Sequence, residues 1–310
     1  MFGWLGVMKK IICLIVFLFC LLLNSSLLVW ADSSLVPPMS IGASKLKVNG
    51  HAQLSYNHNL DSVDLGSLDI RLKLDTPTLF SVFSEVDLAD LDKSENNWLR
   101  QLWVSYQHGN TSIRFGRLFT AAGFSMPPPF LLKTARRMSS NPFAIYAYGI
   151  QMDGKYGKLR VVADITEASG KTFRDNENLG RTEFSGRVEY KVSDPLSMAL
   201  TTQLNGDFQR YGFDVEYKVY TDVVLNSGVY FTDKENRNIK SGFLLADWKL
   251  NNYLHLHSQI DHFSFGGNNV IWTNGFQVFA RENASLTLDY ESRVEGKRDN
   301  NLLVRLQFLF

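Results

Sequence analysis

The chain has 310 residues, with 32 Lys and Arg against 31 Asp and Glu and a formal net charge of +1. That balance excludes recruitment of nucleic acid or of an acidic partner by bulk charge. Apolar content is 45% and aromatics reach 13%, which a soluble all-β protein would also show, so the order of the residues must distinguish the fold.

Lys9 and Lys10 precede an unbroken apolar run from Ile11 to Leu23, and small and apolar residues continue to Ala31. A basic region followed by an apolar one predicts a secretory signal over residues 1–31, cut after Ala31. A start at Met8 would put the lysine pair directly behind the initiator. The run is short for a span of about 20 residues. Cys13 and Cys20 both lie within it, so thiolate metal sites, cysteine nucleophiles and disulfides are not expected in residues 32–310. Loss of Lys9 and Lys10 moves the net charge from +1 to −1. Residues 32–44 read as a periplasmic N-terminal segment and 45–310 as one barrel.

After Ala31 no stretch is apolar for a transmembrane helix. Period-two alternation recurs instead, in blocks of about ten residues separated by turn residues, the pattern of membrane barrels. Leu46, Val48, Gly50, Ala52, Leu54 and Tyr56 share one face, against Lys47, Asn49, His51, Gln53 and Ser55. Leu68, Ile70, Leu72 and Leu74 then oppose Asp69, Arg71, Lys73 and Asp75. Continuing predicts an all-β, transmembrane antiparallel β-barrel of about 16 strands. Their starts fall near residues 46, 67, 80, 98, 112, 144, 158, 183, 196, 210, 222, 241, 253, 272, 284 and 302. Nearly all charges fall opposite the apolar face, because Lys or Arg facing mid-bilayer costs about 2–4 kcal/mol. Arg100 and Arg117 are the exceptions: Arg100 is expected to reach lipid headgroups, and a bulge at Gly116 to turn Arg117 inward.

Connections alternate between tight ones, such as 75–78, 108–110 and 193–195, and longer ones at 89–97, 119–142, 167–182, 232–240 and 291–301. Short periplasmic turns and long external loops are expected of an outer-membrane barrel. Tyr56, Trp98, Tyr106, Tyr190, Tyr211, Tyr217, Trp248 and Tyr290 gather near strand ends, where interfacial girdles would lie. The last strand alternates through Leu302, Val304, Leu306, Phe308 and Phe310. That ending resembles outer-membrane barrels as a class, and the resemblance implies that Phe308 and Phe310 signal to the barrel insertion machinery, with Phe310 at the periplasmic rim.

Sixteen strands enclose a water-filled channel unless something narrows it. The third external loop, 119–142, carries Phe119, Phe124, Phe130, Leu131 and Leu132 around Pro127-Pro128-Pro129. Such apolar content predicts a loop folded inward on the wall, stiffened by proline. The run Trp98-Leu99-Arg100-Gln101-Leu102-Trp103-Val104-Ser105-Tyr106, with Ile113-Arg114-Phe115-Gly116-Arg117-Leu118-Phe119-Thr120 and Gly123-Phe124, resembles sixteen-stranded porins. It is most similar to the phosphate-selective porin O/P type and related substrate-specific porins. The resemblance covers residues 98–124 and implies a channel, often a homotrimer, constricted by the third loop. A lysine- and arginine-rich ladder is missing, which argues against phosphate specificity.

Inward charges nearly cancel: Lys47, Arg71, Lys73, Arg114, Arg160, Arg187, Arg210 and Arg305 face Glu85, Asp87, Asp164, Glu183, Glu189, Asp214, Glu216, Asp261 and Asp289. The third loop instead carries Lys133, Arg136 and Arg137 and no acid. Basic clusters favour anions. The expected constriction is therefore Lys133, Arg136, Arg137, Arg114, Arg117, Arg71, Glu85 and Asp87. The function this supports is passive diffusion of small hydrophilic solutes through the outer membrane, weakly preferring anions. It needs no cofactor, catalytic residue, metal or nucleic acid, and its partners are outer-membrane lipid and lipopolysaccharide. Two alternatives remain. A structural or adhesive barrel would not conduct. A barrel enzyme would have to use His255, His257, Gln259 and Asp261, which share a face and could also hold a metal.

Overall fold

The computed structural model describes residues 36–59, 61–90, 99–121, 146–167, 182–205, 208–234, 237–264, 269–281, 284–293 and 300–309. Among them strands follow one another with a single 3-10 turn, Leu88–Asp90, between two of them. The first six are β1 (Val36–Ile41), β2 (Ser44–Asn57), β3 (Ser62–Asp75), β4 (Phe80–Asp87), β5 (Leu99–His108) and β6 (Thr111–Phe119). Next come β7 (Tyr146–Tyr156), β8 (Leu159–Glu167), β9 (Thr182–Lys191), β10 (Leu196–Asn205), β11 (Phe208–Tyr220) and β12 (Val223–Lys234). The last are β13 (Arg237–Lys249), β14 (Leu254–Phe263), β15 (Asn269–Arg281), β16 (Ala284–Arg293) and β17 (Asn300–Leu309).

Each strand from β2 onward pairs antiparallel with the next, and β17 pairs back on β2. The result is a closed barrel of 16 strands with no sheet edge along most of its wall. The expected alternation is present. Outward Leu72, Val104, Phe115, Ile150, Leu200 and Leu244 are exposed, while inward Asp69, Glu85, Asp164, Arg187, Thr201 and Asp261 are buried. This is the polarity of a soluble protein turned inside out, which only a surrounding apolar solvent stabilises. Tyr190, Tyr211, Tyr217, Trp248 and Tyr290 are exposed on the outer face; Trp98 lies outside the described residues.

The seam contains the strand that the sequence hid. Leu309 pairs with His51, halfway along β2, so β17 leaves residues 44–48 of β2 uncovered. β1 covers them, with Val36 opposite Val48 and Ile41 opposite Ser44. The closing position is thus shared end to end by the last strand and the first. Pro37 and Pro38 argue against a strand in sequence, yet they fall where the register shifts between Val36 and Met39 and no ladder donor is needed. Phe308 lies between Ala284, the first residue of β16, and Ala52. The rim position expected for Phe310 lies outside the described residues.

One expected loop is largely strand. β12 runs to Lys234 and β13 resumes at Arg237, so most of 232–240 is paired. The outward residues there, Asp233, Asn238 and Lys240, are polar. A ladder continuing past the membrane keeps its hydrogen bonds but loses the apolar alternation that would reveal it.

Candidate pore wall

Inward side chains of β2 to β5 form a buried ionic cluster. Asp69 and Asp87 stand directly opposite each other on β3 and β4, an arrangement that repels unless a cation intervenes. Arg100 is that cation. Glu85 pairs with Gln101 and Val86 with Leu99, so Arg100 is the extra residue of a bulge, and its side chain turns inward. Its guanidinium donates to Asp69 at 3.2 Å and to Asp87. The headgroup role expected for Arg100 is therefore wrong, because parity counted through a bulge inverts the face. His51 Nδ1 lies 3.2 Å from Asp69 and 3.1 Å from Ser67 Oγ, and Nε2 lies 3.0 Å from Gln307. Arg71 donates two bonds to Glu85, at 2.9 and 3.1 Å.

From β5 a continuous chain of contacts runs along the wall. Arg114 lies 5.1 Å over the Trp103 ring, and Trp103 stacks on Phe83 at 5.0 Å. Arg114 reaches Asp153 at 3.3 Å; Arg160 joins Asp153 at 2.9 Å to Glu189 at 3.3 Å. Arg187 joins Glu189 at 2.8 Å to Asp214 at 2.6 Å, and Tyr230 donates to Asp214 at 2.7 Å. Signs alternate, so the ladder neutralises itself. It ends on an inward apolar group, Tyr230, Phe243 and Leu245, which the polar pattern of neighbouring strands did not suggest.

A third cluster depends on a glycine. His257, Gly275 and Asp289 lie in one row across β14, β15 and β16, and His257 Nε2 bonds Asp289 over the glycine. A Cβ on Gly275 would sit 1.9 Å from Asp289 Oδ1 and 2.4 Å from the Leu288 carbonyl oxygen. His255 packs on Phe279 at 4.9 Å with Asp247 3.8 Å away, while Gln259 donates to Asp261. The suggested His255, His257, Gln259 and Asp261 constellation therefore divides among separate partners.

Arg117 has no bulge beside it. Pairing is continuous through Gly116, which carries the φ of +132° and whose Cβ would meet the Leu102 carbonyl oxygen at 2.1 Å. Arg117 stays on the outer face, 5.5 Å over the Tyr148 ring. Of the expected constriction, Arg71, Glu85, Asp87 and Arg114 line the inner wall, Arg117 does not, and Lys133, Arg136 and Arg137 lie outside the described residues.

At the tight-turn end the wall opens into a cavity of about 270 Å³. Lys155, Lys158, Arg160, Lys191 and Lys218 line it, with Glu189, Asp194 and Glu216. Lys191 sits 2.8 Å from Asp194 and, by that hydrogen bond, holds the exposed turn carboxyl below its usual range. Lys155 and Lys158 form no ion pair among the described residues.

No family model matches the chain, and no match appears among curated proteins. Solved structures do match. OmpT of Vibrio cholerae, in its in-vitro folded trimer form, gives a TM-score of 0.64 at 13% identity, over 87% of this chain and 100% of that one. The anion-selective porin from Comamonas acidovorans gives 0.63 at 12%, over 86% and 100%. The outer membrane channel DcaP of Acinetobacter baumannii gives 0.60 at 12%, over 89% and 100%. At such identities the likeness is one of fold: the chain is a multi-pass, 16-stranded β-barrel of the outer-membrane type.

Proposed function

We propose that the protein is an outer-membrane porin through which small hydrophilic solutes diffuse passively. The observation that carries this reading is a closed wall of 16 strands, apolar outside and ionic inside. A barrel of that size is too wide for wall side chains alone to fill. The inward-folded third loop, cleavage after Ala31, and assembly through Phe308 and Phe310 belong to the same proposal. So does a homotrimer, which one structural relative forms. Resemblance to the phosphate-selective type rests on residues 98–124 alone, and the self-neutralising wall ladder supports no phosphate-specific track.

A weak anion preference is supported by Lys133, Arg136 and Arg137 without a neighbouring acid, and by five cations against three acids around the tight-turn cavity. Reversal potential across a salt gradient tests it. The wild type should pass anions in excess, and K133E/R136E/R137E should move the potential toward cation preference. A clearly cation-selective wild type would overturn the preference.

A non-conducting barrel is the second reading, favoured by the complete burial of inward Asp69, Asp87, Asp261 and Asp289 and by the inward apolar group. An enzymatic role has less support. Ser67 and Asp69 both approach the same nitrogen of a fully buried His51. A serine–histidine relay needs them on opposite nitrogens.

A further inference from the structure

The carboxylates of the wall ladder and of the β3–β4 cluster each meet a guanidinium. Asp164, buried on the inner face of β8, forms no ion pair among the described residues. Its row across the wall places it between Gln151 on β7 and Ser185 on β9. Ser185 Oγ donates to Oδ1, and Gln151 Nε2 donates to Oδ2 at 3.3 Å. A third donor comes from the chain beyond β6: the backbone N–H of Ala121 also gives to Oδ2. A buried carboxylate without a counter-ion depends on such donors, and a bond to its charge is stronger than one between neutral groups.

These contacts require the end of β6 to be folded back over the wall. Phe119 lies five positions past Arg114, and Gln151 stands directly opposite Arg114. A straight strand covers about 16 Å in five residues, yet Gln151 Nε2 donates to the Phe119 carbonyl oxygen at 2.7 Å. The corner is at Gly116 and Gly149, which face each other on β6 and β7. A Cβ at either would sit 2.1 Å from a carbonyl oxygen of a neighbouring strand, Leu102 or Ile165, a closeness typical of glycine where strands bend sharply. Past that corner Leu118, Thr120 and Ala121 are fully buried. We infer that Asp164 is the positioning residue that holds the end of β6, and with it the start of the third loop, on the inner wall. Gln151 secures the preceding carbonyl, and Ser185 orients the carboxylate. Asp164 thereby fixes the first residues of the third loop, and its role rests on the inward course proposed above for that loop.

Residues 32–310 contain no cysteine, so T120C places one thiol beside the clamp in the full-length protein. In outer membranes it should react slowly with a water-soluble maleimide. D164A should speed that reaction at least tenfold, with heat-modifiable migration retained. D164N should keep most of the protection, because its amide oxygen still accepts from Ala121. A121P removes the one backbone donor and leaves the carboxylate, giving the same comparison should D164A fail to insert. In planar bilayers D164A should also admit larger polyethylene glycols than wild type or D164N, which a general loss of stability would not produce. The role of Asp164 is overturned if T120C labels equally in D164A, A121P and the parent chain. It is equally overturned if D164N exposes T120C as fully as D164A does. A silent wild-type bilayer would count against the channel alone, since the labelling reports on the clamp without it.

Discussion

Arg100 shows how a single residue can defeat a pattern. Counted by alternation it faces lipid; in the structure it lies between Asp69 and Asp87, turned in by one inserted position. Nothing in the sequence marks a bulge there, since its signature is the register with β4, which only the fold sets. The carboxylates themselves were legible as inward charges, but their facing one another was not. R100L should therefore leave two buried carboxylates opposed, lowering stability by about 3–5 kcal/mol. Urea unfolding of the barrel in vesicles measures this, and D87N placed on R100L should recover part of the loss. An R100L barrel as stable as wild type would return Arg100 to the outer face. The glycine at 275 is a parallel case, because the sequence shows the residue and only the three-strand row shows what it makes room for.

At the scale of strands, sequence and structure agree on all sixteen barrel strands. The reason is that each carries its own two-faced pattern through the bilayer. Leu200, fifth in β10 and 62% exposed, is the most direct place to test that polarity. L200R should cost about 2–4 kcal/mol in vesicle unfolding if the face meets hydrocarbon, whereas L200F should be nearly neutral. Equal, small effects would mean that β10 does not face lipid. β1 was illegible because it is only six residues long and its prolines mimic a linker. Deleting residues 36–41 should expose the edge of β2 at 44–48 and lower the temperature at which the barrel loses heat-modifiable migration. Unchanged heat resistance would make β1 an ornament of the seam.

For the whole molecule, the closed wall and its inverted polarity were predictable from periodicity, turn spacing and strand number. Selectivity was not, because it depends on which inward charges cancel. Arg114, Arg160 and Arg187 are each matched by Asp153, Glu189 or Asp214, and Arg117 stays outside. In the proposed reading, the third-loop trio and the lysines at the tight-turn mouth bias the pore. The central claim is simpler than selectivity: the barrel is open to water and ions. Planar-bilayer recording of the purified full-length protein tests it most directly. An open channel predicts discrete, stable, ohmic steps in potassium chloride; a silent bilayer with verified insertion would contradict it and leave a closed structural barrel.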